Sequence, residues 1–515
     1  MKYSKLSLKQ KKFKLLDCTL RDGGYYTNWD FPQKVIENYI QAMDILPIDF
    51  IELGYRNIAS KDYFGEFYFS PINTLNNIIK LTNKSLVLIL NEKDLTVNQI
   101  KFLLEPCIGK IDMIRLAVDP DKIDDAILKS KFIKTMGFNV ALNIMYLSKW
   151  VNDLNFLKKL NKIEMYTDYL YLVDSYGAVF PSELSILIKK IKEISKVKLG
   201  FHGHNNLELA LANTIKAIEE GVEIVDSTIM GMGRGSGNLK TELLLSILSK
   251  DHEINFNLLT KTLEDFQELK SKHKWGINLP YMIAGINGIP QKKIMEWLIS
   301  KFYNLSSVVK ALNNNLHKKE NFSFPLLTYN KAEKTIIIGG GDSVITHLKA
   351  IKYFLENDKE IIIILSSSRH LKHFDNLENE TFLCLIGNEN KRFEENNIDP
   401  SSDLNIILPP KPREMGTYIP IGWNKKVKEL KEISFINIIN HCSMALEIAY
   451  KTSNKLFLIG FDGYETNPIS EKQQSIFFEN QKIFDSALEK NINLTSLVPT
   501  KYSINSITSI YSLID

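Results

Sequence analysis

FKLLDCTLRDGG, residues 13–24, is the stretch whose reading decides the fold. Its first half, Phe13–Cys18, is an apolar run of strand length. Its second half delivers a carboxylate, an arginine and two glycines directly after that run. The same beat recurs downstream. Runs at Asp49–Gly54, Leu86–Leu90, Ile111–Val118, Phe138–Met145, Tyr169–Val173, Val197–His202 and Val222–Ser227 read as further strands. Amphipathic stretches such as Pro32–Leu46 and Pro181–Ile194 lie between them, with apolar residues at helical spacing. Such alternation implies parallel strands joined by right-handed crossovers. Eight units in about 230 residues is the count and size of a closed (β/α)8 TIM barrel rather than of an open sheet.

After the eighth run comes Gly231–Asn238, then a helix from about Leu239 to Ser249. His252–Leu316 reads as mainly helical, with a break at Gly285–Pro290, and Asn313–Tyr329 reads as a linker. A second α/β pattern begins at Lys334. Its candidate strands are Thr335–Gly339, Ile361–Leu365, Thr381–Ile386, Asn405–Leu408, Phe435–Ile439 and Lys455–Gly460, with helices between several of them. An open, doubly wound, Rossmann-like sheet follows. The expected organisation is therefore α/β throughout: a barrel catalytic domain over 1–250, a helical extension and linker over 251–325, and a Rossmann-like domain over 330–515.

A chain of 515 residues exceeds one ordinary core, which agrees with that division. With 64 basic against 60 acidic side chains, the net charge of +4 gives no argument for nucleic acid or a membrane surface as partner. No apolar run reaches the length of a membrane span, and the lysine-rich start (Lys9, Lys11, Lys12, Lys14) reads as a solvated arm rather than a signal peptide. The four cysteines, Cys18, Cys107, Cys384 and Cys442, are far apart and form no CxxC pair. A disulfide framework is thereby disfavoured, and a cytoplasmic location is expected.

The chemistry gathers where runs end. Asp17–Gly24 leaves the first strand and His202-Gly203-His204-Asn205 leaves the seventh, both at the carboxyl-end mouth where such barrels keep their active sites. Alternation along a strand lets His202 and His204 point the same way. Two imidazoles with the Asp22 carboxylate make a facial set with open positions for Mn2+ or Mg2+, or for Zn2+ or Co2+. The open positions suit the two oxygens of a 2-oxo acid. In Gly231–Asn238, Gly233 and Gly235 let backbone approach a ligand closely, and Asn238 is placed to cap a helix and to contact a metal.

These pieces carry a resemblance. "DCTLRDGG", "ELGYR", "DSYG", "GFHGHNNLELALAN" and "GMGRGSGN" occur in order over roughly residues 13–250, and "WGINLPYMIAGINGI" (Trp275–Ile289) follows. The set resembles the family of metal-dependent pyruvate aldolases and acyl-CoA Claisen enzymes related to 4-hydroxy-2-oxovalerate aldolase, isopropylmalate synthase and hydroxymethylglutaryl-CoA lyase. The resemblance implies that Asp22, His202 and His204 bind the metal with Asn238 near it. It implies that Arg21 donates hydrogen bonds to the enolate oxygen, with Glu52 orienting Arg21, and that Asp174 and Ser175 sit at the mouth of the sixth strand. The substrates it implies are a 2-oxo acid and an aldehyde.

One departure bears on mechanism. The 4-hydroxy-2-oxovalerate aldolases carry a histidine base shortly after Arg-Asp-Gly, and this chain has Tyr25 there. A phenol is an acid more readily than a base. The proton carrier is therefore open between Tyr25, Tyr281 and a water on the metal. A Schiff-base route is disfavoured, because the sixth strand holds no lysine and Lys198 lies at the start of the seventh.

In the second domain, "IIIGGGDSV" (Ile336–Val344) and "LFLIGFDGYE" (Leu456–Glu465) faintly resemble nucleotide-using domains of the sialyltransferase or pterin pyrophosphokinase type. Gly339, Gly340, Gly341 and Asp462 are the candidate contacts for a nucleotide or nucleotide-sugar. The leading reading is a metal-dependent aldolase acting through a pyruvate enolate, expected as a homo-oligomer. The alternatives are an acyl-CoA-dependent Claisen enzyme on the same barrel and a non-catalytic sugar- or nucleotide-binding protein.

Overall fold

Period-two alternation in eight short strands sorts side chains between a barrel interior and a surrounding ring of helices. The computed structural model describes residues 12–250, 253–299, 305–316, 323–387, 389–395, 399, 402–411, 413, 419, 422–464 and 469–514. The expected lysine arm up to residue 11, and residues 317–322 of the expected linker, lie outside the described residues. The first eight strands are β1 (Lys14–Asp17), β2 (Phe50–Tyr55), β3 (Ser85–Asn91), β4 (Met113–Val118), β5 (Asn139–Ile144), β6 (Tyr169–Asp174), β7 (Lys198–Gly203) and β8 (Ile224–Ser227). They form a closed parallel barrel in chain order, with β1 paired to both β2 and β8.

The helix Pro181–Ile194 shows how the outer ring forms. Proline opens it, the Glu183 carboxylate accepts from the Phe180 N–H at 2.9 Å, and Leu184, Leu187, Ile188 and Ile191 bury one face. Each such leucine or isoleucine contributes about 1.5–3 kcal/mol by leaving water.

Inside the barrel, Leu16, Phe50, Val87, Met113, Ala141, Tyr171 and Ile224 belong to a separate apolar layer. Two residues further along four of these strands stand polar groups: Phe50 gives way to Glu52, Met113 to Arg115, Ala141 to Asn143 and Ile224 to Asp226. On β7, Gly200 gives way to His202. A Cβ at Gly200 would lie 2.6 Å from the Tyr171 ring, so glycine there makes room for that ring. The barrel is thus apolar at its base and ionic toward its mouth.

The helices Phe256–His273 and Leu279–Ile286 follow the barrel and belong to its compact unit, which runs to Met295. Phe266 packs 6.0 Å from the Tyr39 ring, and Asn38 donates to Asp265 at 2.8 Å, tying the first of these helices to the barrel's outer layer.

The second unit, from Glu296, holds β9 (Lys334–Ile338), β10 (Ile362–Leu365), β11 (Thr381–Cys384), β12 (Leu404–Leu408), β13 (Val427–Glu429), β14 (Lys455–Ile459), β15 (Leu494–Ser496) and β16 (Ser506–Ile507). Their order is β13-β12-β11-β10-β9-β14-β15-β16, all parallel, with the direction of winding reversing between β9 and β14. Ile336, Ile338, Ile363 and Leu365 face one apolar cluster, and Ile337, Ile362 and Ile364 face the other. No helix among the described residues is long and apolar enough to cross a membrane.

One expected strand is corrected. Phe435–Ile439 forms no strand, and the edge of the sheet is β13 instead. Phe435, Ile436 and Ile438 pack partly buried against the second apolar cluster without entering a ladder. The segment is held by Ser434, whose N–H donates to Glu447 at 2.9 Å, and by Asn440, whose side chain caps the helix His441–Thr452. An apolar run reports burial, and here burial comes from helix packing. The short strands β13, β15 and β16 escape sequence reading because three residues or fewer carry no period.

Candidate active site

Arg21 and Asp22 lie in the first turn of the helix Thr19–Thr27, which leaves β1 directly. That turn is pinned by the buried Asp17 carboxylate. It accepts from the Thr19 N–H at 2.9 Å, the Tyr39 hydroxyl at 2.6 Å and the Thr241 hydroxyl at 2.6 Å. The indole of Trp29 donates to the Arg21 carbonyl at 2.9 Å and lies on Gly24, where a Cβ would stand 2.1 Å from the ring. Neither Arg21 nor Asp22 can shift without breaking one of these ties.

A chain of charge-assisted hydrogen bonds joins the two halves of the site. Arg21 donates through Nε to Glu52 Oε2 at 2.8 Å and through Nη1 to Asp22 Oδ1 at 2.6 Å. The same Glu52 oxygen accepts from Arg115 Nη1 at 3.0 Å, and Arg115 Nη2 donates to Asp226 Oδ2 at 2.7 Å. Asp226 Oδ2 lies 2.8 Å from His202 Nδ1. Arg115 is fully buried, donates also to Asn143 at 3.0 Å, and stacks on Tyr171 at 4.0 Å. Burial pushes Asp226 up, but Arg115 and His202 outweigh it and hold the carboxyl below the usual range.

The ligand-type atoms of Asp22, His202 and His204 lie within 4.8 Å of one another, all buried. His202 uses Nδ1 on Asp226, and His204 uses Nδ1 on the Ser175 carbonyl at 3.1 Å. Both Nε2 atoms are thereby left for the common centre, the arrangement by which outer partners fix imidazole ligands. Asn238 donates to Asp22 Oδ2, while its buried Oδ1 has no hydrogen-bond partner among the described residues. Two committed imidazoles, a carboxylate and an orphaned amide oxygen around one point fit a divalent cation. Burial alone would raise Asp22, yet Arg21 and then the two histidines hold its carboxyl well below the usual range, so it is ionised as a ligand must be. Cys18, His202 and Asp226 also bring three donor atoms within 4.8 Å. There the carboxylate already serves Arg115 and His202, and burial pushes the Cys18 thiol well up, so the first group is the better cage.

The glycine-rich loop folds back over this cluster. His204 and Asn238 form a bridge, and the Asn205 N–H donates to the Gly237 carbonyl at 2.9 Å. A side chain at Gly233 would put its Cβ 2.4 Å from Asn238 Nδ2 and 3.0 Å from Asp22 Oδ2. Gly235 has φ +67° and backs onto Gln291.

The structure thus brings Arg21, Asp22, Glu52, His202, His204, Asn238, Gly233 and the Ser175 carbonyl together. The Tyr25 hydroxyl stands 2.9 Å from that of Tyr55, beside them. Asp174 is turned away: its carboxylate accepts from the Ala178 and Val179 N–H groups, each at 3.2 Å, and burial lifts it to about 7. Tyr281 is hydrogen-bonded to Tyr26 and pushed by burial to about 12, which suits a proton donor better than a base. In the second unit, Gly339, Gly341 and Asp462 meet where the winding reverses. Asp462 accepts from the Ser343 N–H at 2.9 Å, so an incoming phosphate would meet that carboxylate.

Sequence reading missed Arg115, Asn143, Asp226, Asn206 and Gln291. Arg115 had a legible signal, a lone charge inside an apolar strand in phase with Met113. Gln291 had none. It donates to the Ser175 carbonyl at 3.1 Å and to Asn206 at 2.7 Å from a helix 87 residues beyond His204.

Burial, then the neighbouring His202, hold His204 down at about 3. An unfolded histidine titrates near 6.5. Below that pH the unfolded chain takes a proton that the folded site refuses, so stability is lost as pH falls from 6.5 toward 3. In metal-free protein, His204→Gln is expected to flatten this loss by about 1.4 kcal/mol per pH unit below 6.5. Equal slopes for variant and wild type in urea titrations at pH 6.5 and 5 would refute the assignment.

A family model described as HMGL-like matches residues 12–270. A protein named 4-hydroxy-2-oxovalerate aldolase from Carboxydothermus hydrogenoformans is 30% identical over 252 residues, covering 47% of this chain and 71% of its own length. One of the same name from Geobacillus thermodenitrificans is 26% identical over 239 residues, 46% of this chain and 69% of its own. Among solved structures, the N-terminal domain of a Bacteroides vulgatus protein described as a candidate aldolase is 48% identical. It aligns with TM-score 0.55 over 58% of this chain and all of that domain. With a closed barrel, an Asp-His-His cluster at its mouth and these relatives, the chain belongs to the HMGL-like family.

Proposed function

We propose that the barrel is a divalent-metal-dependent aldolase that makes or breaks a carbon–carbon bond through the enolate of a 2-oxo acid, pyruvate in the simplest case, with an aldehyde as second substrate. The observation that carries this reading is the Asp22, His202 and His204 cluster, with both histidine Nδ1 atoms already committed and Arg21 bonded to Asp22. A bound divalent cation supplies Lewis acidity toward the keto oxygen of the substrate.

The chain's own groups supply the rest. Arg21, held by Glu52 and Asp22 through Nε and Nη1, presents Nη2 to the oxygen on which charge develops. Arg115, donating to the same Glu52 oxygen, holds Glu52 in place for that task. Tyr25 carries the proton. Burial and the neighbouring Tyr25 push Tyr55 well up, so Tyr55 keeps its own proton in its hydrogen bond with the Tyr25 hydroxyl.

The test is proton NMR of pyruvate in deuterated water with the full chain and Mg2+. Metal-dependent loss of the methyl signal is expected, abolished by chelator and slowed more than about 100-fold by His202→Ala. A signal that persists with wild-type protein would overturn the pyruvate reading. Undiminished exchange by His202→Ala would overturn the cluster.

A further inference from the structure

Arg234 is a guanidinium at the barrel mouth for which the described residues provide neither a carboxylate nor, at Nε, a hydrogen-bond acceptor; Arg56, directly after β2, also lacks a carboxylate but is held by the Leu103, Phe69 and Ser70 carbonyls. Arg21 and Arg115 each contact two acids. Arg234 forms no ion pair among the described residues, and its buried Nε has no hydrogen-bond partner. Its guanidinium carbon lies 5.4 Å from the centre of the Tyr25 ring. The groups whose fields reach it are Tyr25, Asp22, Tyr55 and Tyr146, and its own charge reaches His204. It therefore borders both the metal cluster and the tyrosines beside it.

The backbone that carries Arg234 is fixed. The Tyr26 hydroxyl donates to the Gly235 carbonyl at 2.8 Å, the Ser236 hydroxyl donates to Asn206 at 2.6 Å, and the Gly237 N–H donates to the Arg234 carbonyl at 3.3 Å. Across the mouth, Tyr146 is held at φ +58° with its N–H donating to Ser175 Oγ at 2.9 Å. A tyrosine in that region costs about 1–2 kcal/mol, and the surrounding contacts hold it there. Its ring packs 5.3 Å from Tyr176, and Lys149 lies 4.7 Å over it as a second cation.

A guanidinium drawn partly out of water without a carboxylate in contact is costly, and an anion placed against it recovers that cost. On the aldolase reading above, the cation and Arg21 account for the oxygens of the 2-oxo acid. The unpaired charge then falls to the other substrate. We propose that Arg234 binds an anionic group on the second substrate, so that the aldehyde carries a carboxylate or a phosphate. Phenol hydroxyls and a planar fork suit either oxyanion.

The test uses unreactive stand-ins for the aldehyde: 4-hydroxybutyrate for a carboxylate, glycerol 3-phosphate for a phosphate, and glycerol as the neutral control. Each is titrated calorimetrically into the metal-free full chain, and again with Mg2+ and saturating pyruvate. At least one anion is expected to bind and glycerol not to, and the tighter anion names the group. Arg234→Gln is expected to weaken anion binding by about 10-fold or more, with partial recovery in Arg234→Lys. Binding must persist with pyruvate present. Equal binding by Arg234→Gln, no anion binding by wild type, or displacement of both anions by pyruvate would each overturn the proposal, the last by assigning Arg234 to the donor. The pyruvate exchange experiment fails separately: anion binding in its absence leaves Arg234 an anion site and removes the aldolase.

Discussion

Arg21→Lys is expected to slow pyruvate methyl exchange by about 100- to 1,000-fold while leaving the barrel folded and metal bound. The magnitude is that of losing one preorganised donor to a developing oxyanion. Arg21 holds Glu52 and Asp22 at 2.8 and 2.6 Å through two different nitrogens. An ammonium is a point charge that can keep one of these partners and then has no fixed direction toward substrate. Charge is conserved in this variant, so a large loss isolates geometry from electrostatics. Turnover is compared at saturating pyruvate, with Mn2+ affinity read by paramagnetic resonance as the control. A loss below 10-fold would remove Arg21 from the chemistry and leave it a structural ion pair.

Arg115→Met is expected to destabilise the barrel by about 3–5 kcal/mol, the cost of removing from two buried carboxylates the guanidinium they share. Arg115 lies between Glu52 and Asp226, which are 0% and 2% exposed. Methionine fills comparable volume but answers neither carboxylate. Hydrogen exchange in β4, β7 and β8 under urea reports the barrel separately from the second unit. Adding Glu52→Gln and Asp226→Asn is expected to recover a large part of the loss, because the neutral amides no longer need the guanidinium. A loss under 1 kcal/mol in Arg115→Met would mean that the two acids take up protons at little cost and that the chain of ion pairs is not what holds the mouth together.

These variants separate two kinds of residue that sequence reading treats unequally. Arg21, Asp22, His202 and His204 were legible because each sits at, or within five residues after, the carboxyl end of a strand, beside a glycine or another polar ligand type. Arg115 and Asp226 are single charges inside apolar strands, and only their meeting across the barrel shows what they do. Tyr281 and Asp174 were legible by motif, yet the fold turns one toward Tyr26 and the other toward its own loop. Motif membership places a residue at an element's end and leaves its side-chain direction undecided.

What the chain determined by itself was therefore local. Period-two runs of four to eight residues, helical spacing between them and glycine at the turns are encoded within about ten residues, and they suffice for eight barrel strands and a second parallel sheet. The arrangement of the candidate site depends on pairings that span 31 residues from Arg21 to Glu52, 111 from Arg115 to Asp226 and 216 from Asp22 to Asn238. Those pairings exist only once β1 closes on β8 and each strand's register selects which side chains share a level. Closure and register are properties of the assembled barrel, so the candidate ligand types could be read from the sequence, and the network that orients them was decided by the tertiary structure.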